Sequence, residues 1–191
     1  PNAFTISSVF IALGAGIAAG LGAWAWAIVF IIINGFCDMT DGELARRLAH
    51  DRSTYRKNLG EFLDPLIDRI ADTFILTGTL AYAVYQLTVT DHWWWPIITV
   101  AIGLSIGLNL LSSWIRAKLE SLNRKLGDSK PLTRATLHIE LIIVFIGTWL
   151  DIEILAVPFF IWGMAVICVS TVIMAGWRIR KAIAKKIWIQ L

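Results

Sequence analysis

Apolar residues come in six long blocks, at about residues 4 to 20, 22 to 46, 60 to 87, 93 to 119, 133 to 150 and 154 to 177. A helix that crosses the hydrocarbon of a bilayer needs about 20 apolar residues. The blocks therefore predict six spanning helices. Short breaks at Gly20-Leu-Gly22, Thr88-Val-Thr-Asp-His92 and Trp149-Leu-Asp-Ile-Glu153 alternate with longer polar connections at residues 47–59 and 120–132. The expectation is an all-α integral membrane protein, a single domain over residues 1–191 with no soluble linker and no internal repeat.

Composition agrees with that reading. The chain is 57% hydrophobic and only 16% charged, with ten Trp, and its mean hydropathy is +0.69. This is the balance of a membrane protein and excludes an ordinary soluble domain. The first thirty residues hold no basic residue and no cleavage site after a charged segment, so the first block is expected to span the membrane and not to be a removable signal peptide. The chain starts at Pro1 without an initiator Met, which predicts that further residues precede it. Cys37 and Cys168 show no metal-ligand spacing and are expected to be small buried hydrophobes without a disulfide.

The placement of charge gives the orientation. Arg46, Arg47, Arg52, Arg56, Lys57 and Arg69 fall in or beside the first long connection; Arg116, Lys118, Arg124, Lys125, Lys130 and Arg134 frame the second; Arg178, Arg180, Lys181, Lys185 and Lys186 form the tail. Those are all 17 basic residues. The three short turns hold only Asp91, Asp151 and Glu153. Basic residues accumulate on the cytoplasmic side of membrane proteins, so both termini and both long connections are expected in the cytoplasm of a cell-membrane protein. His92-Trp-Trp-Trp-Pro96 then falls on the opposite face, where an aromatic belt is expected. The basic amphipathic run Trp177–Trp188 should continue the last helix onto the anionic lipid surface. His50 and His138 have no companion at ligand spacing, and Glu140 has no role assigned by its neighbours.

Against this background one stretch stands out. Asp38, Asp41, Asp64 and Asp68 lie between two apolar blocks, at the cytoplasmic ends of the second and third helices. Asp38 and Asp41 are i,i+3 neighbours on a helix, and Asp64 and Asp68 are i,i+4 neighbours, so each pair projects from one face. An ionised carboxylate in a membrane helix is costly unless paired, hydrated or bound to metal. Pairing with Arg46 and Arg69 could account for one or two of them. Oxygen-only ligands suit Mg²⁺, Mn²⁺ or Ca²⁺ better than Zn²⁺. Mg²⁺ commonly completes its shell with substrate phosphates, which implies a phosphate-bearing substrate. Gly42 and Gly60, with Ala45 one turn beyond Gly42, leave room for a ligand to approach the backbone.

The pattern Asp38-x2-Asp41-Gly42-x2-Ala45-Arg46, then Gly60-x3-Asp64-x3-Asp68, resembles the signature of the CDP-alcohol phosphotransferases, membrane enzymes of phospholipid synthesis. Pro1-Asn2-x2-Thr5 is similar to the family's opening of its first helix. Ser113-Trp-Ile-Arg116-Ala-Lys-Leu-Glu120 and Thr133-Arg134-Ala resemble segments of the branch that makes inositol-phosphate and related polyol-phosphate lipids, although Thr136 and Leu137 stand where that branch has Glu and Arg. The thirteen residues between Arg46 and Gly60 exceed the family's usual spacing.

The resemblance implies transfer of a substituted phosphoryl group from a CDP-linked donor to an acceptor hydroxyl, with release of CMP. The donor could be CDP-diacylglycerol, a CDP-archaeol-like lipid or a CDP-polar alcohol; the acceptor is an alcohol or a polyol phosphate. Two Mg²⁺ or Mn²⁺ ions are expected on Asp38, Asp41, Asp64 and Asp68, with Asp68 also the general base. Ca²⁺ could occupy the site without supporting activity. Asn2, Thr5, Gly42, Ala45, Arg46 and Gly60 are expected to line the nucleotide pocket, and Arg116 and Arg134 to bind a phosphate on the acceptor. A homodimer in the bilayer is expected, with no nucleic-acid partner. Two alternatives remain at this point, an intramembrane Mg²⁺-dependent prenyltransferase and a cation transporter using the acids as its ion path.

Overall fold

In a computed structural model the described residues of the six apolar blocks fold as six helices, α1 (Asn2–Gly20), α2 (Trp24–Arg47), α3 (Thr54–Val89), α4 (Trp94–Ser121), α5 (Arg134–Trp149) and α6 (Phe159–Ala184). Two short strands, β1 (Glu153–Ile154) and β2 (Val157–Pro158), pair antiparallel between α5 and α6. The structure describes residues 2–47, 54–121, 134–154 and 157–184, with side chains at 7–40, 66–115, 136–154, 157–181 and 183. Most of the two long connections and the basic residues after Ala184 lie outside the described residues.

Helix boundaries follow the predicted blocks with two differences. Helix α3 begins at Thr54, six residues before the expected start, because nothing in the polar stretch Thr54–Leu59 breaks a helix. Helix α6 begins at Phe159, not at Ile154. The preceding residues are spent on the strand pair, closed by the Phe159 amide donating to the Ile152 carbonyl at 2.9 Å and by Trp162 Nε1 donating to the Ile154 carbonyl at 3.1 Å.

Two of the tight turns have the same cause. After α1, Gly22 takes a positive φ of 70° while the Ala23 amide reaches back to the Ala18 carbonyl at 2.8 Å. After α5, Asp151 takes a φ of 53° while the Ile152 amide reaches the Gly147 carbonyl at 3.0 Å. Both are left-handed helix terminations that satisfy orphan carbonyls and reverse the chain.

The helices close into a ring. Following the main contacts, α1 packs on α3, α3 on α4, α4 on α6, α6 on α5, α5 on α2 and α2 on α1. The tightest approach is between α1 and α3, where a Cβ at Gly16 would overlap the Phe74 carbonyl and one at Gly78 would overlap the Gly16 carbonyl. Small residues permit such backbone contact between membrane helices.

Polarity is arranged inside out. Phe10, Trp26, Phe36, Val100, Leu104, Ile143, Val166 and Ile173 point outward, whereas Asn34, Asp72, Thr79, Ser105, Asn109 and Thr171 are buried. Thr79, Ser105 and Thr171 return their hydroxyls to the carbonyl four residues earlier in their own helices, which satisfies them locally, and Thr171 Oγ1 also lies 3.4 Å from Ser105 Oγ between α6 and α4. An apolar exterior over a partly polar interior is what lipid requires. Among the described residues, Trp94–Ile115 and Phe159–Lys181 are long and apolar enough to cross a membrane, while the apolar parts of α1, α2 and α5 are shorter.

At the end where the short turns lie, the ring interior is filled by aromatic rings. Trp24 meets Tyr82 at 4.7 Å, Phe145 at 5.0 Å and Phe160 at 5.7 Å between centroids, and Tyr82 meets Phe160 at 5.4 Å. The expected belt at His92–Pro96 is only partly outward. Trp93 is exposed, Trp94 stacks on His92, and Trp95 is 5% exposed and packs into this cluster against Tyr82 and Phe160. Successive residues of a helix point about 100° apart, so within the run Trp93–Trp95 one ring faces the bundle while another faces out. Cys37 and Cys168 are free and half-buried.

Candidate functional site

The residues singled out by sequence all sit at the other end of the bundle. Asn2 and Thr5 belong to the first turns of α1; Asp38, Asp41, Gly42, Ala45 and Arg46 to the last turns of α2; Gly60, Asp64 and Asp68 to the first half of α3; Arg116 to the last turns of α4; Arg134 opens α5. Because consecutive helices run in opposite directions, these helix ends lie on the same side of the bundle; α2 and α3, which carry the acids, each pack on α1. Continuous helix through both motifs gives the acids the i,i+3 and i,i+4 spacings that put each pair on one face. Asp38 is exposed and Asp68 half-buried. The side chains of Asn2, Thr5, Asp41, Gly42, Ala45, Arg46, Gly60, Asp64, Arg116 and Arg134 lie outside the described residues. Among the described residues no three His, Cys, Asp or Glu side chains gather as a metal site. Cage formation by the four aspartates therefore remains an expectation.

Below the acids lies a polar layer that sequence reasoning missed. Asp72, one turn beyond Asp68, has a side chain 0% exposed and accepts from Arg69 Nη1 at 3.0 Å. The same Nη1 donates to Asn109 Oδ1 on α4 at 2.7 Å. On its other oxygen Asp72 meets His138 Nε2 on α5 at 3.2 Å. Since α3 and α5 are not neighbours around the ring, this last contact crosses its interior.

Arg69 lies inside α3, as its apolar block predicts, and its side chain, 18% exposed, turns into the bundle, with its described partners at Asp72 and Asn109. Arg178, counted with the tail, is likewise buried, its Nη1 donating to the Ser112 carbonyl of α4 at 2.7 Å. Both arginines turn inward for one reason. Charge counting assigns a residue by its place in the chain, whereas the face of the helix decides whether it looks at water or at the bundle. The spacing Asp64, Asp68, Asp72 was the available signal, since i, i+4 and i+8 run along one line of a helix.

Glu140, left without a role, accepts a hydrogen bond from Ser170 Oγ of α6 at 3.0 Å. It edges an apolar groove of about 230 Å³ between α5 and α6. A second groove, of about 240 Å³ between α2 and α5, is lined by apolar residues with Asp38 and His138 among them.

A model of the CDP-alcohol phosphatidyltransferase family matches residues 1–177. The chain belongs to the CDP-alcohol phosphatidyltransferase family. It is therefore a membrane-bound transferase of substituted phosphate groups in phospholipid synthesis. Membership displaces the prenyltransferase and cation-transport alternatives.

Solved structures of similar fold include the Mycobacterium tuberculosis phosphatidylinositol phosphate synthase PgsA1. With CDP-DAG bound it is 22% identical to this CDP-alcohol phosphatidyltransferase, at a TM-score of 0.73 over 94% of this chain and 84% of that one. Its complex with manganese and citrate gives 22% identity and a TM-score of 0.70, over 92% of this chain and 78% of that one. At this identity the likeness establishes the shared fold. A search of curated protein sequences found no match.

Proposed function

We propose that residues 1–191 form one catalytic domain of six spanning helices, with both termini and the acidic end facing the cytoplasm. In that domain a CDP-linked lipid donor transfers its substituted phosphoryl group to the hydroxyl of an alcohol or polyol phosphate. The observation that carries the reading is the complete acidic pattern, Asp38, Asp41, Asp64 and Asp68 with Gly42, Ala45, Arg46 and Gly60, in the last turns of α2 and the first half of α3. The basic residues, which in the sequence all fall in or beside the two long connections and the tail, support the orientation. The PgsA1 structures, one with CDP-DAG and one with manganese, support a CDP-lipid donor and a divalent metal. Two copies of the chain form the working unit in this reading.

The donor set fits a hard divalent cation, Mg²⁺ or Mn²⁺. Carboxylate oxygens are its natural ligands, and the nearby Arg69 guanidinium is engaged by Asp72 and Asn109. Asp38, Asp41, Asp64 and Asp68 would hold two such ions, which would neutralise the diphosphate and stabilise the departing phosphate of CMP.

The remaining roles belong to the chain itself. Asn2, Thr5, Gly42, Ala45 and Gly60 bind and orient the nucleotide, and Arg46 pairs with donor phosphate. Asp68 takes the proton of the acceptor hydroxyl. The acceptor oxygen attacks the phosphorus that bears the lipid, a new P–O bond forms, and the bond to the CMP oxygen breaks. A carboxylate among cations is a weak base, so much of the rate comes from holding donor and acceptor together. Arg116 and Arg134 receive a phosphate carried by the acceptor.

The test is release of CMP by purified protein in detergent. CDP-diacylglycerol, a CDP-archaeol analogue and CDP-polar alcohols are each offered with a panel of hydroxyl acceptors, with Mg²⁺, Mn²⁺, Ca²⁺ or chelator. CMP formed from a CDP-lipid only when metal and acceptor are both present is the expected result. No release from any CDP donor would refute the reading.

A further inference from the structure

Arg69 sets a problem for a cation site. It follows Asp68 directly in the chain, and a guanidinium in a low-dielectric interior is drawn to the nearest carboxylate. Paired with Asp68, it would cancel the charge that attracts a divalent ion. In the structure it is instead tied, through the single nitrogen Nη1, to Asp72 at 3.0 Å and Asn109 at 2.7 Å. Among the described residues its Nε is buried without a hydrogen-bond partner, so there the guanidinium keeps a donor unspent and is held by those two contacts. Asp72 is in turn fixed by His138 at 3.2 Å from across the ring.

We propose that Asp72 and Asn109 sequester the Arg69 guanidinium away from the metal-binding carboxylates, making Asp72 a positioning residue that sets the affinity of the site for divalent cations. The proposal rests on the reading that Asp64 and Asp68 bind metal. Asp72 holds no metal itself; its charge is spent on Arg69. The positions 64, 68 and 72 along α3 then divide the work, two acids for the cation and the third for the arginine that would compete with it.

The test measures Mn²⁺ binding to the purified protein in detergent, without nucleotide, from the electron paramagnetic resonance signal of free Mn²⁺. Asp72→Asn leaves Arg69 without its counter-charge and is expected to weaken Mn²⁺ binding about tenfold. Arg69→Gln should bind no more weakly than the parent. Asp72→Glu, which keeps the charge, and the double variant Arg69→Gln/Asp72→Asn, which removes both charges, should return to within about threefold of it. A role limited to packing would make the double variant at least as weak as Asp72→Asn, and that result, or parental binding by Asp72→Asn, overturns the proposal. If Asp72→Asn does not fold, Asn109→Leu takes its place. It is expected to weaken binding about threefold and to recover when Arg69→Gln is added; unchanged binding overturns the proposal. Asp68→Asn separates the two levels. Undiminished Mn²⁺ binding in that variant refutes the metal reading and the proposal with it, whereas weakened binding there with a parental Asp72→Asn refutes the proposal alone.

Discussion

At one end of the helix ring Trp24, Tyr82, Phe145 and Phe160 fill the interior with tilted and edge-on rings. At the other end Arg69, Asp72, Asn109 and His138 fill it with hydrogen bonds. Both clusters join helices that are not neighbours around the ring, α2 and α3 to α6 in the first and α3 to α5 in the second. The difference lies in what each demands. Aromatic packing asks for volume and tolerates small errors of register, and in lipid it gains dispersion contacts without a hydrophobic drive. A buried charged network asks for every partner, because a missing one leaves a desolvated charge. The first end can serve stability alone. The second sits one turn from Asp68 and, in the proposed reading, holds geometry and charge for chemistry.

The largest separation between the two ends is expected in activity. Asp68→Asn should lower CMP formation by about 10²- to 10⁴-fold, the range attributed to a general base, while thermal unfolding in detergent stays near that of the parent. A variant retaining near-parental turnover would remove Asp68 from the proton-transfer step.

Trp24→Ala should show the reverse. Trp24 is 7% exposed and touches three other rings, so its removal opens a cavity and costs about 3 kcal/mol or more. The apparent unfolding temperature should fall clearly, with kcat and KM of the folded protein at low temperature unchanged. Loss of turnover without loss of stability would mean that the aromatic end reaches the site, and the division between the ends would fail.

Between these falls Gly78→Ala. Its Cβ would overlap the Gly16 carbonyl, and a backbone oxygen has no rotamer to move into. Helices α1 and α3 must separate, at about 1–3 kcal/mol. No substitution at Gly16 can relieve the clash, since the obstructing atom is main chain. Both helices carry candidate site residues, so KM for the CDP donor is expected to rise along with the loss of stability. Unchanged unfolding would show that the two helices do not pack this closely.

Much of this was legible in the sequence. Six apolar blocks became six helices because each block was long and its breaks were polar. The aspartates could be selected because acids between apolar blocks are costly, and their spacing needed only helix geometry. The polar layer was hidden for a different reason. Asp72 pairs with His138 sixty-six residues later, and only closure of the ring brings α3 and α5 face to face. The inward turn of Arg69 and Arg178 was not legible because a count of charges by segment does not see helix faces. The strand pair before α6 was also invisible, since two residues a side leave no periodicity to read.

The smallest effect is expected where a polar pair lies outside both clusters. Glu140 accepts from Ser170 at 3.0 Å, but Ser170 also donates to the Ile167 carbonyl of its own helix at 3.0 Å. Ser170→Ala therefore removes a hydroxyl whose hydrogen is shared between two acceptors. Glu140 is only half-buried and edges an apolar groove, so after the substitution its carboxyl can turn toward water or a lipid headgroup. Hydrogen bonds between membrane helices average about 0.6 kcal/mol. Ser170→Ala is expected to lower stability by no more than about 1 kcal/mol and to leave CMP formation unchanged, as read by unfolding and turnover of the same preparation. A loss comparable to that of Trp24→Ala would make the α5–α6 seam a third structural centre and Glu140 part of it.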